Sequence, residues 1–145
     1  MLGRTLIHVA LPLVIGTLAY AAWRSSDVRV VAWMSRFAPR GVAAAQGTGA
    51  SHVPAMIAGS LPDAAWAWAF GASLSLVWYG RAWREKAAWL AAGALVALSA
   101  EIGQAFGVVP GTFDVVDLGA IAVGFAAGAR LAGRRRAVAA SPTEA

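Results

Sequence analysis

Four apolar runs of membrane-spanning length dominate this sequence of 145 residues. The first run covers residues 5–23, contains no Asp, Glu, Lys or Arg, and is bounded by Arg4 and Arg24. A helix needs roughly 20 apolar residues to cross a bilayer, so this run predicts a transmembrane helix. The other three runs lie at residues 64–80, 87–106 and 115–131.

The composition is also typical of a membrane protein. Hydrophobic residues make up 59% of the chain and charged residues only 13%, whereas soluble domains have about 25% charged residues. We therefore predict an all-α fold, a polytopic membrane helix bundle with about four transmembrane helices, in a single domain over residues 1–145. Because the chain has no cysteine, disulfides, thiolate catalysis and cysteine metal sites are excluded.

The basic residues predict the orientation of this bundle. Arg4, residues 81–86 and the tail at residues 134–145, which is basic and then flexible, share one side if all four runs cross. Positive residues favour the cytoplasmic side, so we predict both termini in the cytoplasm, in the inner membrane of a bacterium and in contact with its lipids. These flanking residues account for the net charge of +5, and we predict no nucleic-acid partner.

Residues 24–60 are predicted to form a long extracytoplasmic loop between the first two spans. Val30, Met34 and Phe37 recur at helical spacing among arginines, which favours a short interfacial helix, although a flexible linker fits equally well. Pro62 is expected at the start of the second helix, because proline suits the first helical turn. The first run has a second interpretation, a cleaved secretory signal, since residues 19–21 read Ala-Tyr-Ala.

Acidic residues gather at the predicted outer face. Asp63 precedes the second run, and Asp114 and Asp117 lie at the start of the fourth. Glu101 lies near the outer end of the third run and shares a helix face with Gln104, three residues further on. A carboxylate in or near hydrocarbon has to find a partner or hold a proton. Glu101 is therefore the main candidate for a functional group.

This acidic group has a catalytic and a structural interpretation. In a catalytic site, Glu101 would donate or accept a proton, and Gln104 would position the substrate. Asp114 and Asp117 would then orient the reactants or hold a metal. In the structural interpretation, the same acids cap helices or join them by hydrogen bonds.

Binding of a metal or an anion is a further question. Carboxylate and amide oxygens are compatible with Mg²⁺ or Ca²⁺, but no spacing of residues specifies a metal site, so we predict no cofactor. Asp63, Arg36 and Arg40 are weaker candidates for substrate binding. The two arginines suit a phosphate or an anionic lipid headgroup, although a solvated loop face explains them as well.

The last third of the chain carries a set of motifs in a fixed order. These motifs are Glu101-x-x-Gln104, the Pro-Gly-Thr-Phe-Asp turn at residues 110–114, Asp117, and Gly124 with Gly128. The set resembles the VanZ-like family of small bacterial membrane proteins, with residues 60–63 as a second block. Ile121 stands where that family often has asparagine, and Thr112 stands where it usually has a basic residue. The resemblance is therefore to a divergent member.

The resemblance implies a role in the cell envelope, since the namesake of the family is associated with resistance to the glycopeptide teicoplanin. We expect an outward acidic cleft that engages a lipid-linked or cell-wall-related ligand, with catalysis left open. The alternative is a non-enzymatic assembly or accessory subunit that packs against a membrane protein partner or a second copy. A proton or ion pathway formed by oligomers is a third interpretation. The small residues for such packing are Gly93, Gly103, Gly124 and Gly128.

Overall fold

The computed structural model describes residues 2–24, 28–47 and 54–134. Within these ranges the regular structure is helical and no strand occurs, which confirms the predicted all-α class. Four long helices form a bundle, and two short helices follow the first of them. The helices are α1 (Leu2–Trp23), α2 (Arg29–Phe37), α3 (Pro39–Gly47), α4 (Ala55–Val77), α5 (Trp83–Ala105) and α6 (Val115–Gly133).

Helices α4 and α6 lie side by side and run parallel. Gly124 faces the carbonyl group of Ala64, and Gly128 faces that of Trp68. A Cβ atom at either glycine would overlap the facing oxygen. The residue numbers increase together in these two pairs, so the helices are parallel. Because glycine has no side chain, the two backbones can approach closely. The two helices therefore begin at the same end of the bundle.

Helices α1 and α5 run in the opposite direction to this pair. The guanidinium of Arg4, at the start of α1, lies 5.6 Å from the ring centre of Tyr79, just after α4 ends. Arg4 also donates a hydrogen bond to the carbonyl of Ala132 near the end of α6 (3.5 Å). Trp78, which follows α4, stacks on Trp89 of α5 with ring centres 5.2 Å apart. One end of the bundle thus holds the starts of α1 and α5 and the ends of α4 and α6.

The outer surface of the bundle is apolar. Helices α1, α5 and α6 are long and apolar enough to cross a membrane. Leu95 of α5 and Val123 of α6 are 67% and 71% exposed, and a continuous surface of this kind is costly in water. These helices indicate a membrane protein. Helix α4 is not among the three; it carries Asp63 and three serines and packs between the other helices.

The segment that was predicted as a loop contains helices. Helix α2 agrees with the predicted short helix and buries Val31 completely, and α3 follows it. Helix α4 begins at Ala55, ahead of the predicted start at residue 64. The prediction that Pro62 starts this helix is wrong, because Pro62 lies inside it and is fully buried. Proline removes one backbone donor, and packing of the surrounding turns keeps the helix intact.

The basic turn before the third run is also shorter than expected. Helix α5 begins at Trp83, so Arg84, Glu85 and Lys86 form its first turn instead of a loop. Glu85 near the helix start is favoured by the helix dipole. The predicted flexible tail lies, from residue 135 onwards, outside the described residues.

Candidate functional site

A cavity of about 700 Å³ opens at the end of the bundle where α4 and α6 begin and where α5 ends. It is lined by side chains from all three of these helices, from the loop between α5 and α6, and by Arg24 after α1. The Glu101-x-x-Gln104 motif and the Pro-Gly-Thr-Phe-Asp turn at residues 110–114 both contribute to its wall. Five of the residues selected from the sequence line the cavity: Asp63, Glu101, Gln104, Asp114 and Asp117.

Glu101 is the most buried of these acids, with only 7% of its surface exposed. Its Oε2 accepts a hydrogen bond from the backbone N–H of Asp114 at 3.3 Å. The side chain of Asp114 in turn accepts a hydrogen bond from the N–H of Val116 at 2.8 Å and so caps α6. An N-cap acid satisfies a helix donor that has no partner within the helix. Glu101 is thereby tied to the start of the neighbouring helix.

Asp117 joins α6 to α4. Its Oδ1 accepts a hydrogen bond from the hydroxyl of Ser60, which is buried at 8% exposure. The contact is possible because α4 and α6 run parallel and start at the same end. Hydrogen bonds to a charged group are stronger than neutral ones, at about 1.5–3 kcal/mol. Asp117 therefore contributes both to the cavity wall and to the register of the two helices.

Asp63 is half-buried and meets charges of both signs. Arg24, which directly follows α1, attracts this carboxylate, and Asp117 and Glu101 repel it. The guanidinium of Arg24 also lies 5.6 Å from the ring centre of Tyr20, a cation–π geometry that holds it near the end of α1. Arg24 thus offsets part of the negative charge of the cavity.

The position of Gln104 depends on the turn that follows α5. Gly111 adopts a φ of +144°, and a Cβ atom there would lie 2.8 Å from Cδ of Gln104. Glycine is needed because residues with a side chain disfavour this φ and because a Cβ atom would crowd Gln104. The N–H groups of Val108 and Val109 both donate to the carbonyl of Gly103, which folds the loop back onto α5. The Pro-Gly turn therefore packs against the side-chain amide of Gln104.

Several residues of the site were not selected as candidates from the sequence. Arg24, which lines the cavity, was interpreted only as the boundary of the first run. Ser60, which bonds to Asp117, was included only in the second block of the family resemblance. The signal for Arg24 is its place at the predicted outer end of the first run, the same end as the acids. Three aromatic residues also line the wall, and no sequence pattern distinguishes them from lipid-facing aromatics. They are Trp66, Phe70 and Phe113.

Two predicted residues lie elsewhere, and the acids do not form a metal cluster. Arg36 and Arg40, on α2 and α3, are exposed and do not line the cavity. Among the described residues, no three Asp, Glu or His side chains are grouped closely enough to hold a metal ion. We therefore derive no chemistry from a metal at this site.

The chain was compared with known families, proteins and structures. No protein-family model, curated protein or solved structure matches it. The chemistry of the cavity is therefore inferred from the residues that line it. That lining holds four carboxylates beside donors from Arg24, Trp66, Gln104 and Thr112, so its carboxylates can bind a ligand that donates hydrogen bonds.

Proposed function

We propose that this protein is a VanZ-like cell-envelope protein of the bacterial inner membrane, whose acidic cavity binds a lipid-linked or cell-wall-related ligand. The observation that carries the proposal is the convergence of four acids and Gln104 on one cavity. These acids are spread over more than 50 residues of sequence, and the packing of α4, α5 and α6 brings them together. Intramembrane ionisable groups commonly mark functional sites.

The charges at the two ends of the bundle support an outward-facing cavity. The end opposite the cavity is basic, and Glu85 is the only acid there among the described residues. Positive residues favour the cytoplasmic side, so the proposed orientation has the cavity facing away from the cytoplasm. Helix α4, parallel to α6, is then the fourth crossing helix. The basic residues are Arg4, Arg81, Arg84, Lys86, Arg130 and Arg134.

The alternative of an accessory subunit has less support from the packing. It relied on glycines that would form faces for a partner chain. Each of these glycines instead faces an atom of this same chain, so that an added Cβ would be crowded by it. The contacts are Gly93 with Leu74, Gly103 with Val109, Gly124 with Ala64 and Gly128 with Trp68.

The test is complementation of a strain that lacks the gene, with susceptibility to envelope-directed antibiotics, teicoplanin included, as the readout. Glu101→Gln and Asp117→Asn remove charge with little change of shape. We expect each variant to accumulate in the membrane at the wild-type level and to fail to restore the wild-type susceptibility. The matched control is Glu85→Gln, the same change at the opposite end, which should complement fully.

Two results would contradict the proposal. Full complementation by Glu101→Gln at normal abundance would show that the acid of the cavity is not needed. Loss of membrane abundance in both cavity variants, with normal abundance of Glu85→Gln, would make the acids structural and favour the accessory-subunit alternative. Immunoblotting of membrane fractions provides the abundance measurement in each strain.

A further inference from the structure

We infer that the ligand of the acidic cavity carries a protonated amine, which the carboxylates and aromatic rings of the wall bind together. This inference rests on the proposed ligand-binding function and specifies the chemical class of the ligand. It is carried by three independent features of the cavity: its charge, an oxygen of Glu101 that accepts no hydrogen bond in the described part of the chain, and its aromatic wall.

The first feature is the excess of acid. Four carboxyl side chains line the cavity, and Arg24 is the one basic residue among the described residues of the wall. Arg24 attracts Asp63, so one described base faces four acids in this wall. Like charges at short range in a medium of low dielectric repel each other strongly, and a buried charge without a partner is costly. A cationic ligand removes both penalties.

The second feature is the free oxygen of Glu101. This side chain is only 7% exposed and lines the cavity. Its Oε2 has a donor in the backbone of Asp114, but in the described part of the chain no hydrogen bond reaches Oε1. Oε1 is not one of the fully buried atoms that lack a partner, so it is accessible from the cavity. An ammonium group has three N–H donors and no acceptor, so it can serve this oxygen and a second carboxylate at once.

The third feature distinguishes an organic amine from a metal ion. Trp66, Phe70 and Phe113 line the same cavity, and the faces of aromatic rings attract organic cations. Mg²⁺ and Ca²⁺ instead require about six to eight oxygen ligands in close contact, and the described residues contain no such group of carboxylates. The volume of about 700 Å³ is that of a small-molecule site, since such pockets measure roughly 300–1,000 Å³.

The experiment compares two sugars that differ at a single carbon. Glucosamine carries an ammonium group where glucose carries a hydroxyl. Their dissociation constants for the purified full chain in dodecyl maltoside are measured by ligand-observed NMR. We expect glucosamine to bind at least about tenfold more tightly than glucose, which is the effect of one charged hydrogen-bonded group. Equal affinity for the two sugars, or binding of neither, would overturn the inference.

Variants of residues that line the cavity test whether the preference for glucosamine arises there. Glu101→Gln and Phe113→Leu each should weaken glucosamine binding by about threefold to tenfold and leave any glucose binding unchanged. Glu85→Gln, at the basic end, should bind glucosamine like the wild type. If Glu101→Gln and Phe113→Leu bind glucosamine as tightly as the wild type does, the amine is held elsewhere and the inference fails.

A final arm separates the two sources of such an amine. Micelles doped with phosphatidylethanolamine present the same ammonium group on a lipid, whereas phosphatidylglycerol does not. Competition with glucosamine by the first lipid alone identifies a lipid headgroup as the source, and no competition identifies a soluble or cell-wall amine. Both results support the inference. The two proposals can also fail separately. If Glu101→Gln fails to complement but the wild type shows no preference for glucosamine, the proposed ligand-binding function is retained and only the inference of an amine ligand is refuted.

Discussion

The carboxylate of Glu101 accepts a hydrogen bond from the backbone N–H of Asp114, with 3.3 Å between Oε2 and the nitrogen. This bond joins the buried acid of α5 to the residue that caps α6. The acid and the helix start are therefore coupled, and a substitution of Glu101 removes a contact of the α6 start, whereas a substitution of Asp114 keeps the backbone donor. For this reason stability has to be measured alongside function for each variant below.

Replacing Asp114 by alanine should lower the free energy of unfolding by about 1 kcal/mol, the usual cost of losing an N-cap. The bond from the N–H of Val116 to Asp114 is lost in this variant. Asp114→Asn is the control, because its side-chain oxygen can still cap the helix while its charge is gone. Titration with sodium dodecyl sulfate in mixed micelles measures the stability. Equal destabilisation by alanine and asparagine would show that charge, not capping, is the contribution of this residue.

Gly128→Ala should separate α4 from α6 and destabilise the bundle by about 1–3 kcal/mol, the range for overpacking a closely packed contact. The added Cβ would overlap the carbonyl oxygen of Trp68. Gly119→Ala, in the same helix, is the matched control, since nothing lies within 4 Å of an added Cβ there. That variant should be neutral or more stable by up to about 1 kcal/mol, because alanine favours helices. Similar thermal unfolding of the two variants would contradict the close contact.

Gly111→Ala should destabilise the turn by about 1–3 kcal/mol, the cost of a strained backbone conformation. Two causes contribute, the φ of +144° and the crowding against Gln104. Adding Gln104→Ala removes the crowding but leaves the backbone conformation, so the double variant should recover only part of the loss. Complete recovery in the same unfolding assay would mean that the backbone conformation carries no cost.

The hydrogen bond between Ser60 and Asp117 can be measured with a double-mutant cycle. Ser60→Ala and Asp117→Ala should each destabilise the protein, and the double variant should be more stable than the sum of the two losses predicts. We expect a coupling energy of about 0.5–3 kcal/mol, as for residues in direct contact. Strictly additive losses would argue that the two side chains do not interact across α4 and α6.

Much of the helical fold could be predicted from apolar run lengths alone. Three of the four predicted runs correspond to helices that are long and apolar enough to cross a membrane. The boundaries were less predictable, because a helix continues wherever its turns pack against a neighbour. Pro62 illustrates this: its intrinsic preference is for a helix start, yet packing buries it inside α4.

The acidic residues of the site could be selected from the sequence because charge is rare in apolar runs. The structure brings all five of the selected residues of α4, α5 and α6 to one cavity. Ser60 and the aromatic wall could not be selected in this way. Serine and aromatic residues are common in such helices, so only their position relative to the acids gives them a role.

By itself, the sequence determined where the long apolar helices lie and near which of their ends the charged residues are found, since both follow from local hydropathy and helical periodicity. The tertiary structure decided which ends meet. The parallel packing of α4 and α6 depends on glycines that contact backbone carbonyls of another helix, a relationship between distant parts of the chain. Only that packing places Ser60 against Asp117 and brings Glu101 to the cap of α6.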